Sequence, residues 1–139
     1  MLFRGKYSFL SNMHPAPVIL DDMTFPNVEN AYQAAKCADK SYMASFISMT
    51  AVEAKHAGRR VVVRSDWDTV KASIMDNLLR QKFAHSSLKQ KLIDLSDDEI
   101  VEDNYWGDTY WGRCNGKGEN VLGQLLMNIR EECRAATVL

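Results

Sequence analysis

This 139-residue sequence has few cysteines, no long apolar run and almost no excess of charge of either sign. Its three cysteines, Cys37, Cys114 and Cys133, are an odd number and lie far apart, forming neither a C-x-x-C pair nor a disulfide framework. No apolar run approaches the roughly 18 residues of a membrane span, and the first residues lack the apolar stretch of a signal peptide. We therefore expect reduced thiols and a cytoplasmic protein without membrane contact.

Metal-ligand patterns are also missing. The histidines His14, His56 and His85 show no ligand spacing with one another or with cysteine, so the sequence predicts no metal site, and we predict no cofactor. A formal net charge of −1 argues against strong nonspecific binding to duplex nucleic acid. It leaves room for local contact through a few arginines and lysines.

Apolar periodicity and capping residues predict an α+β protein, mainly helical with a few short strands, in a single domain over residues 1–139. Short strands scattered among helices, without regular βαβ alternation, disfavour a doubly wound sheet. The predicted elements are a hairpin over 17–26, a helix from 28 to about 38 with Asn27 as N-cap, a helix over 51–57, a buried strand over 61–63, a helix over 67–83, a short helix over 88–93, a strand over 100–102 and a C-terminal helix over 121–129.

One loop differs in composition from the others. It runs over residues 105–118 and holds four large aromatic residues within seven positions, interleaved with glycine. Surface loops are usually polar, so these aromatics either cover a core or stack on a flat ligand. The tryptophans Trp67, Trp106 and Trp111 fit core packing as well as ligand binding.

The predicted helix that begins at residue 28 carries a polar face. Glu29, Gln33 and Lys36 lie at i, i+4 and i+7, within an arc of about 60°. Glu29 falls in the first turn, where the helix dipole favours an ionised carboxylate, which suits a base or a cation stabiliser. The spacing alone favours an ordinary solvated face with a weak charge pair. Asp108, beside Gly107, fits a turn residue in the same way.

Several segments together, in order along the chain, carry a resemblance to a known family. They are Phe3-Arg4-Gly5 with Phe9-Leu10-Ser11-Asn12, Phe25-Pro26-Asn27-Val28-Glu29 with Gln33 and Lys36, Gly58-Arg59, Trp67-Asp68 with Lys71, Asp108-x-x-Trp111-Gly112, and Gly118-x-Asn120-x-Leu122-Gly123. This set resembles the NADAR/YbiA-like family over residues 3–134. The sequence departs from the family pattern at Asn30, where a histidine is usual.

The resemblance implies a compact YbiA-like fold and a metal-independent N-glycosidase acting on ribosylated amines. Two substrate groups are implied: ribosylamino-pyrimidine phosphates of riboflavin synthesis, and ADP-ribose attached to the exocyclic amine of guanine in DNA or RNA. The implied catalytic residues are Glu29, Lys36 and Asp108. The implied substrate-binding residues are Arg4, Gly5, Ser11, Asn12, Gln33, Arg59, Trp67, Trp111 and Gly112.

Two mechanisms are open for such substrates. In the first, Lys36 forms a Schiff base with the opened sugar, Glu29 shuttles protons, and Asp108 orients a ribose hydroxyl or water. In the second, Glu29 activates water directly and no covalent intermediate forms. Two other functions also compete, a nonhydrolytic ADP-ribose or nucleotide-binding module and a purely structural interaction protein.

Overall fold

The computed structural model describes residues 1–137, which group into two compact units. The first unit, Asn12–Lys82, holds the predicted polar helix, and the second consists of Met1–Ser11 together with 83–137. Helices predominate in both units and the strands are short, so the α+β class is confirmed. Within the described residues no helix is long and apolar enough to cross a membrane. The single domain over 1–139 stays a prediction, and its last two residues lie outside the described range.

The Asn12–Lys82 unit begins with the predicted hairpin. Strands β1 (Val18–Leu20) and β2 (Met23–Phe25) pair antiparallel, and Val18 faces Phe25 across the ladder. The intervening Asp21–Asp22 pair adopts left-handed backbone angles, φ 48° and 62°, as a two-residue hairpin turn requires. Burial of Val18 and Phe25 fixes the register.

Helix α1 (Val28–Ala35) follows and is capped as predicted. The side chain of Asn27 accepts a hydrogen bond of 2.8 Å from the backbone N–H of Asn30, which satisfies a free donor of the first turn. All eight residues of α1 are buried. The helix ends three residues before the predicted position near Ala38, because the backbone N–H of Ala38 turns away to donate to the Val62 carbonyl.

Two further helices pack in this unit. Helix α2 (Ala51–Gly58) has the predicted capping box, in which Glu53 N–H donates to Thr50 and Thr50 N–H donates to the Glu53 carboxylate. Helix α3 (Trp67–Lys82) confirms the longest predicted helix in this unit. A 3₁₀ helix over Lys40–Phe46, which the sequence did not predict, joins α1 to α2.

The predicted buried strand over 61–63 is wrong. Val62 is 78% exposed and Val63 is 45% exposed, and the segment forms only an isolated bridge between Cys37 and Val63. A run of β-branched residues becomes a strand only where a neighbouring chain supplies a ladder. Here the end of the segment bonds to the turn after α1, where Arg64 N–H donates to the Lys36 carbonyl.

The second unit contains a 3₁₀ helix over Gly5–Leu10, helix α4 (Ser86–Ile93) and helix α5 (Val121–Thr137). Both α-helices were predicted. Strand β3 (Asp103–Asn104) pairs parallel with β4 (Arg113–Cys114).

The predicted strand over 100–102 is therefore wrong, since the observed strand begins just after it. The Asn120 side chain takes the place of a neighbouring strand. Its amide donates to the Ile100 carbonyl at 2.9 Å and accepts from the Glu102 N–H at 3.0 Å. These two bonds satisfy the backbone groups that a ladder would otherwise pair.

Candidate functional site

The polar face of α1 is buried, and its carboxylate is held by a neighbour on the same helix. Glu29 is 8% exposed and Gln33 is 6% exposed, so the alternative of a solvated face is wrong for these two residues. Gln33 Nε2 donates to Glu29 Oε1 at 2.9 Å. The backbone N–H of Glu29 donates to the Asn12 carbonyl at 3.0 Å. Three of the predicted site residues are thus brought together around one carboxylate.

Lys36 continues the same face one residue after α1 ends. Its backbone angles, φ −65° and ψ −26°, are helical, so its side chain keeps the helical register. Burial lowers the pKa of the Lys36 amine from its usual value, and the Glu29 carboxylate partly reverses this by raising it. Glu29 and Lys36 therefore interact electrostatically, and a larger fraction of the amine is neutral than for an exposed lysine.

Aromatic rings form one wall beside this amine. Lys36 Nζ lies 5.7 Å from the centre of the Tyr32 ring, and Tyr32 itself is 7% exposed. The Trp67 ring packs against Tyr32 with centroids 5.1 Å apart and planes tilted by 54°. Trp67 was predicted to stack on a base, and the structure gives it a packing role against Tyr32 while leaving it partly exposed.

Two cations flank Lys36 from the neighbouring helices. Arg59, the C-cap of α2, and Lys71, on α3, both lower the pKa of Lys36 further. Arg59 was a predicted binding residue, whereas Lys71 was noted only as part of the family pattern. Its signal in the sequence is its i+4 spacing from Trp67, which puts both side chains on one face of α3.

Removing the Lys71 charge is expected to change the pH dependence of the site. A positive neighbour disfavours protonation of Lys36, so Lys71→Met raises the pKa of Lys36 toward its usual value. If the neutral amine is the reactive form, activity rises with pH through that pKa, and the rising limb of the pH–kcat profile moves to higher pH. The measurement is kcat across a pH series for both proteins.

Lys40→Met is the matched control, because the Lys40 side chain is 79% exposed and pairs with Asp21. Its profile should overlay that of the parent protein. A Lys71→Met profile that also overlays the parent, or moves to lower pH, contradicts the role assigned to Lys71.

Asn30, which stands where the family usually has histidine, has a structural role. It is fully buried, and its Nδ2 donates to the carbonyls of Phe46 at 2.9 Å and Met49 at 2.8 Å. One amide nitrogen supplies both donors, whereas each ring nitrogen of a histidine carries at most one. Through these two hydrogen bonds, Asn30 joins the segment before α2 to the helix that carries Glu29 and precedes Lys36.

Asp108 lies in the second unit and acts there as a turn residue. Its Oδ1 accepts hydrogen bonds from the backbone N–H groups of Tyr110 at 3.2 Å and Trp111 at 3.0 Å. Its own backbone N–H and carbonyl are both bonded to the Asn104 side chain. This geometry agrees with the alternative interpretation from the sequence, and the catalytic role of Asp108 stays a prediction.

Three more predicted binding residues lie near the beginning of the chain. Arg4 is exposed, and its Nη2 donates to the hydroxyl of Tyr105 at 3.5 Å. Gly5 begins the first 3₁₀ helix with φ +57°, a left-handed angle that favours glycine. Ser11 ends that helix, where its N–H donates to the Ser8 carbonyl. Their roles in substrate binding stay predictions.

The remaining two, Trp111 and Gly112, lie in the aromatic loop of the second unit. The Trp111 ring contacts Tyr110 edge to face, with centroids 4.8 Å apart. A Cβ on Gly112 would lie 2.0 Å from the Glu102 carbonyl, so a side chain has no room there. Gly112 thus permits close backbone packing, and its contact with substrate is also still a prediction.

A cleft of about 690 Å³ opens beside the end of α1. It is lined by Ala35 and Cys37, the neighbours of Lys36, and by Arg64 and Asp66. Arg64 Nε lies 2.6 Å from Asp66 Oδ1, so these two charges already neutralise each other. The charged pair that lines this cleft is therefore already satisfied, and the candidate site predicted from the sequence stays the face that carries Glu29 and Lys36.

Comparison with known proteins agrees with the resemblance seen in the sequence. The family described as "NADAR domain" matches residues 2–134. "N-glycosidase YbiA" of Shigella flexneri serotype 5b (strain 8401) is 36% identical over 134 residues, covering 91% of this chain and 81% of that protein. "Riboflavin biosynthesis protein VVA0006" of Vibrio vulnificus (strain YJ016) is 30% identical over 132 residues, covering 91% of this chain and 36% of that protein. An NMR structure of the E. coli protein YbiA superposes with a TM-score of 0.84 at 32% identity, covering 99% of this chain and 86% of that one.

Proposed function

Because this chain belongs to the NADAR domain family, we propose that it is an N-glycosidase that hydrolyses the bond between a ribose phosphate and an exocyclic amine. The predicted family and the YbiA-like fold are confirmed. A hydrolase acting on N-glycosyl bonds agrees with the name of the YbiA relative. The proposed substrates are ribosylamino-pyrimidine phosphates, in keeping with the riboflavin-related name of another relative.

The observation that carries this proposal is the pairing of an amine and a carboxylate on one helix face. The Lys36 amine has a pKa lowered by burial, and the Glu29 carboxylate interacts with it from two turns away. A neutral amine is a nucleophile toward an imine, and a carboxylate beside it accepts and returns protons. The two groups together supply what an exchange of amines at an anomeric carbon requires.

The proposed reaction starts with opening of the ribose ring. The C1′–O4′ bond breaks as O4′ takes a proton, and C1′ becomes an iminium carbon bonded to the exocyclic nitrogen. The neutral Lys36 amine adds to C1′, Glu29 moves a proton from the lysine nitrogen to the departing nitrogen, and the base amine leaves. Water then adds to the C1′–Lys36 Schiff base, and collapse of the adduct releases the sugar and the free lysine.

Asn12 supports recognition of a sugar at this position. Its backbone carbonyl bonds the first turn of α1 at Glu29, and its Nδ2 donates to Met75 Sδ at 3.7 Å. Its Oδ1 is buried and has no hydrogen-bond partner among the described residues. A buried acceptor without a donor costs about 1–3 kcal/mol, which a ribose hydroxyl donating to Asn12 would relieve.

The test incubates the purified protein with a ribosylamino-pyrimidine phosphate and, separately, with an ADP-ribosylated guanine oligonucleotide. Released sugar is quantified by mass spectrometry. We expect release from the first substrate; release only from the second assigns the chain to reversal of nucleic-acid ADP-ribosylation. Tight binding with no sugar released from either substrate rejects the enzyme and favours the binding module. The cytoplasmic setting stays a prediction.

A further inference from the structure

Gly58, the last residue of α2, touches the side chain that holds Glu29. A Cβ placed on Gly58 would lie 1.9 Å from Gln33 Oε1 and 2.6 Å from Gln33 Cδ. Real Cβ atoms essentially never come within 3.0 Å of such neighbours. The carboxamide of Gln33 therefore occupies the space that any other residue at position 58 would need.

Backbone conformation does not explain a glycine here. Gly58 is the last helical residue of α2 and lacks the left-handed φ that marks Gly5. At a helical position alanine has the higher intrinsic propensity, so propensity alone favours Gly58→Ala. The close contact with Gln33 predicts instead that Gly58→Ala is unfavourable. The effect of this substitution therefore distinguishes helix propensity from the contact with Gln33.

The hydrogen bond to Glu29 determines which way the Gln33 amide points. Its Nε2 donates to Glu29 Oε1 at 2.9 Å, while its Oε1 is buried against Gly58 and has no hydrogen-bond partner among the described residues. Rotating the amide by 180° would set a carbonyl oxygen against the carboxylate, which is repulsive. The bond to Glu29 thus selects one orientation, in which Oε1 packs against Gly58.

We propose that Gly58 is a positioning residue of this site: its bare Cα forms the seat for the Gln33 carboxamide, which in turn fixes the Glu29 carboxylate. The proposal rests on the N-glycosidase function proposed above. A side chain at position 58 displaces Gln33 and removes the hydrogen bond from Gln33 Nε2 to Glu29 Oε1. The Glu29 carboxylate then loses one of the contacts that position it, while its own chemistry stays the same.

A double-mutant cycle tests this seat. Gly58→Ala is expected to lower kcat by about 10- to 100-fold with a smaller change in KM, since displacement of a catalytic group by about 1 Å costs on that order. In a Gln33→Ala background the nearest remaining Gln33 atom, Cβ, lies 3.2 Å from the added Cβ. Gly58→Ala is therefore expected to change kcat there by less than about 3-fold, because the displaced carboxamide is gone.

Gly123→Ala is the matched control. Gly123 is also a helical glycine, and its added Cβ would lie 2.1 Å from the Ile100 carbonyl, in the other unit. Its effects should be the same in the parent protein and in the Gln33→Ala background. Equal losses from Gly58→Ala in both backgrounds, or full activity of Gly58→Ala with Gln33 present, overturn the proposal.

The free energy of unfolding in urea is also measured for the same variants without substrate. It decides the two cases in which kcat cannot be compared. If Gly58→Ala does not fold, the Gln33→Ala background is expected to restore folding. If the double variant also fails to fold, the proposed packing of Gln33 on Gly58 is wrong. If the parent protein releases no sugar, the proposed function fails on its own. In that case the coupling between positions 58 and 33 in the free energy of unfolding still decides whether the seat exists.

Discussion

Lys36→Met is expected to lower kcat by at least about 10³-fold and to abolish covalent trapping of substrate. In the Schiff-base route the lysine nitrogen forms the bond to C1′, and removal of a covalent nucleophile leaves only binding and proton transfer. Methionine keeps an unbranched apolar stem beside the Tyr32 ring, so the wall around it should remain packed. The parent protein treated with substrate and borohydride is expected to gain the mass of the reduced sugar on Lys36.

Lys40→Met controls for the loss of a lysine, because Lys40 is exposed and lies in the 3₁₀ helix that follows α1. It should keep both activity and trapping. If Lys36→Met retains most activity and borohydride yields no adduct on the parent protein, the Schiff-base route is wrong. Direct hydrolysis with Glu29 activating water then becomes the mechanism.

Glu29→Gln is expected to lower kcat by about 10²- to 10⁴-fold, the usual contribution of a positioned acid or base. Glutamine has nearly the shape of glutamate, and its carbonyl can still accept from Gln33, so the variant should fold. Burial makes this carboxylate difficult to replace, because bulk water has little access to take over its proton transfers. Kinetics on purified protein, with stability checked by urea unfolding, measure the effect.

The same variant also makes a prediction about pH. The Glu29 charge raises the pKa of Lys36, so its removal lowers that pKa further. Activity that depends on the neutral amine rises through the pKa, and the rising limb therefore moves to lower pH. This direction is opposite to that expected for Lys71→Met, where a positive neighbour is lost.

Glu53→Gln is the matched control, since Glu53 belongs to the capping box of α2 and is exposed. It should reduce stability slightly and leave kcat unchanged. Unchanged ligand affinity in Glu29→Gln, together with a parent protein that releases no sugar, identifies a binding module. A Glu29→Gln protein that keeps full activity removes Glu29 from both mechanisms.

The starts of helices were predictable from the sequence where local capping bonds decide them. Asn27 starts α1, and the Thr50–Glu53 pair starts α2, through bonds between residues three positions apart. The segments over 61–63 and 100–102 were wrong because strand formation depends on what lies alongside. Neither the exposure of Val62 nor the bonds from Asn120 can be inferred from nearby sequence.

The candidate site also has features that the sequence predicted and features that it did not. Helical spacing placed Glu29, Gln33 and Lys36 on one face, and the structure keeps them there. Periodicity did not predict their burial, which comes from the packing of other elements against α1. From the sequence, Gly58 was marked only as part of the Gly58-Arg59 family segment that follows the predicted helix over 51–57, since its contact with Gln33 joins positions 25 residues apart. Packing between helices, rather than pattern within one, determines such roles.

Complete burial of α1 leaves the helix without a tolerant position. All eight of its residues are buried, so substitutions there are expected to reduce stability as well as any activity that depends on Glu29. Substitutions that change substrate preference are better tolerated at exposed positions on the neighbouring helices. Arg59 is exposed and Trp67 and Lys71 are partly exposed; Arg59 and Lys71 act electrostatically on the Lys36 amine, and Trp67 packs against Tyr32. Natural drift in specificity can accumulate there while the buried helix stays constant.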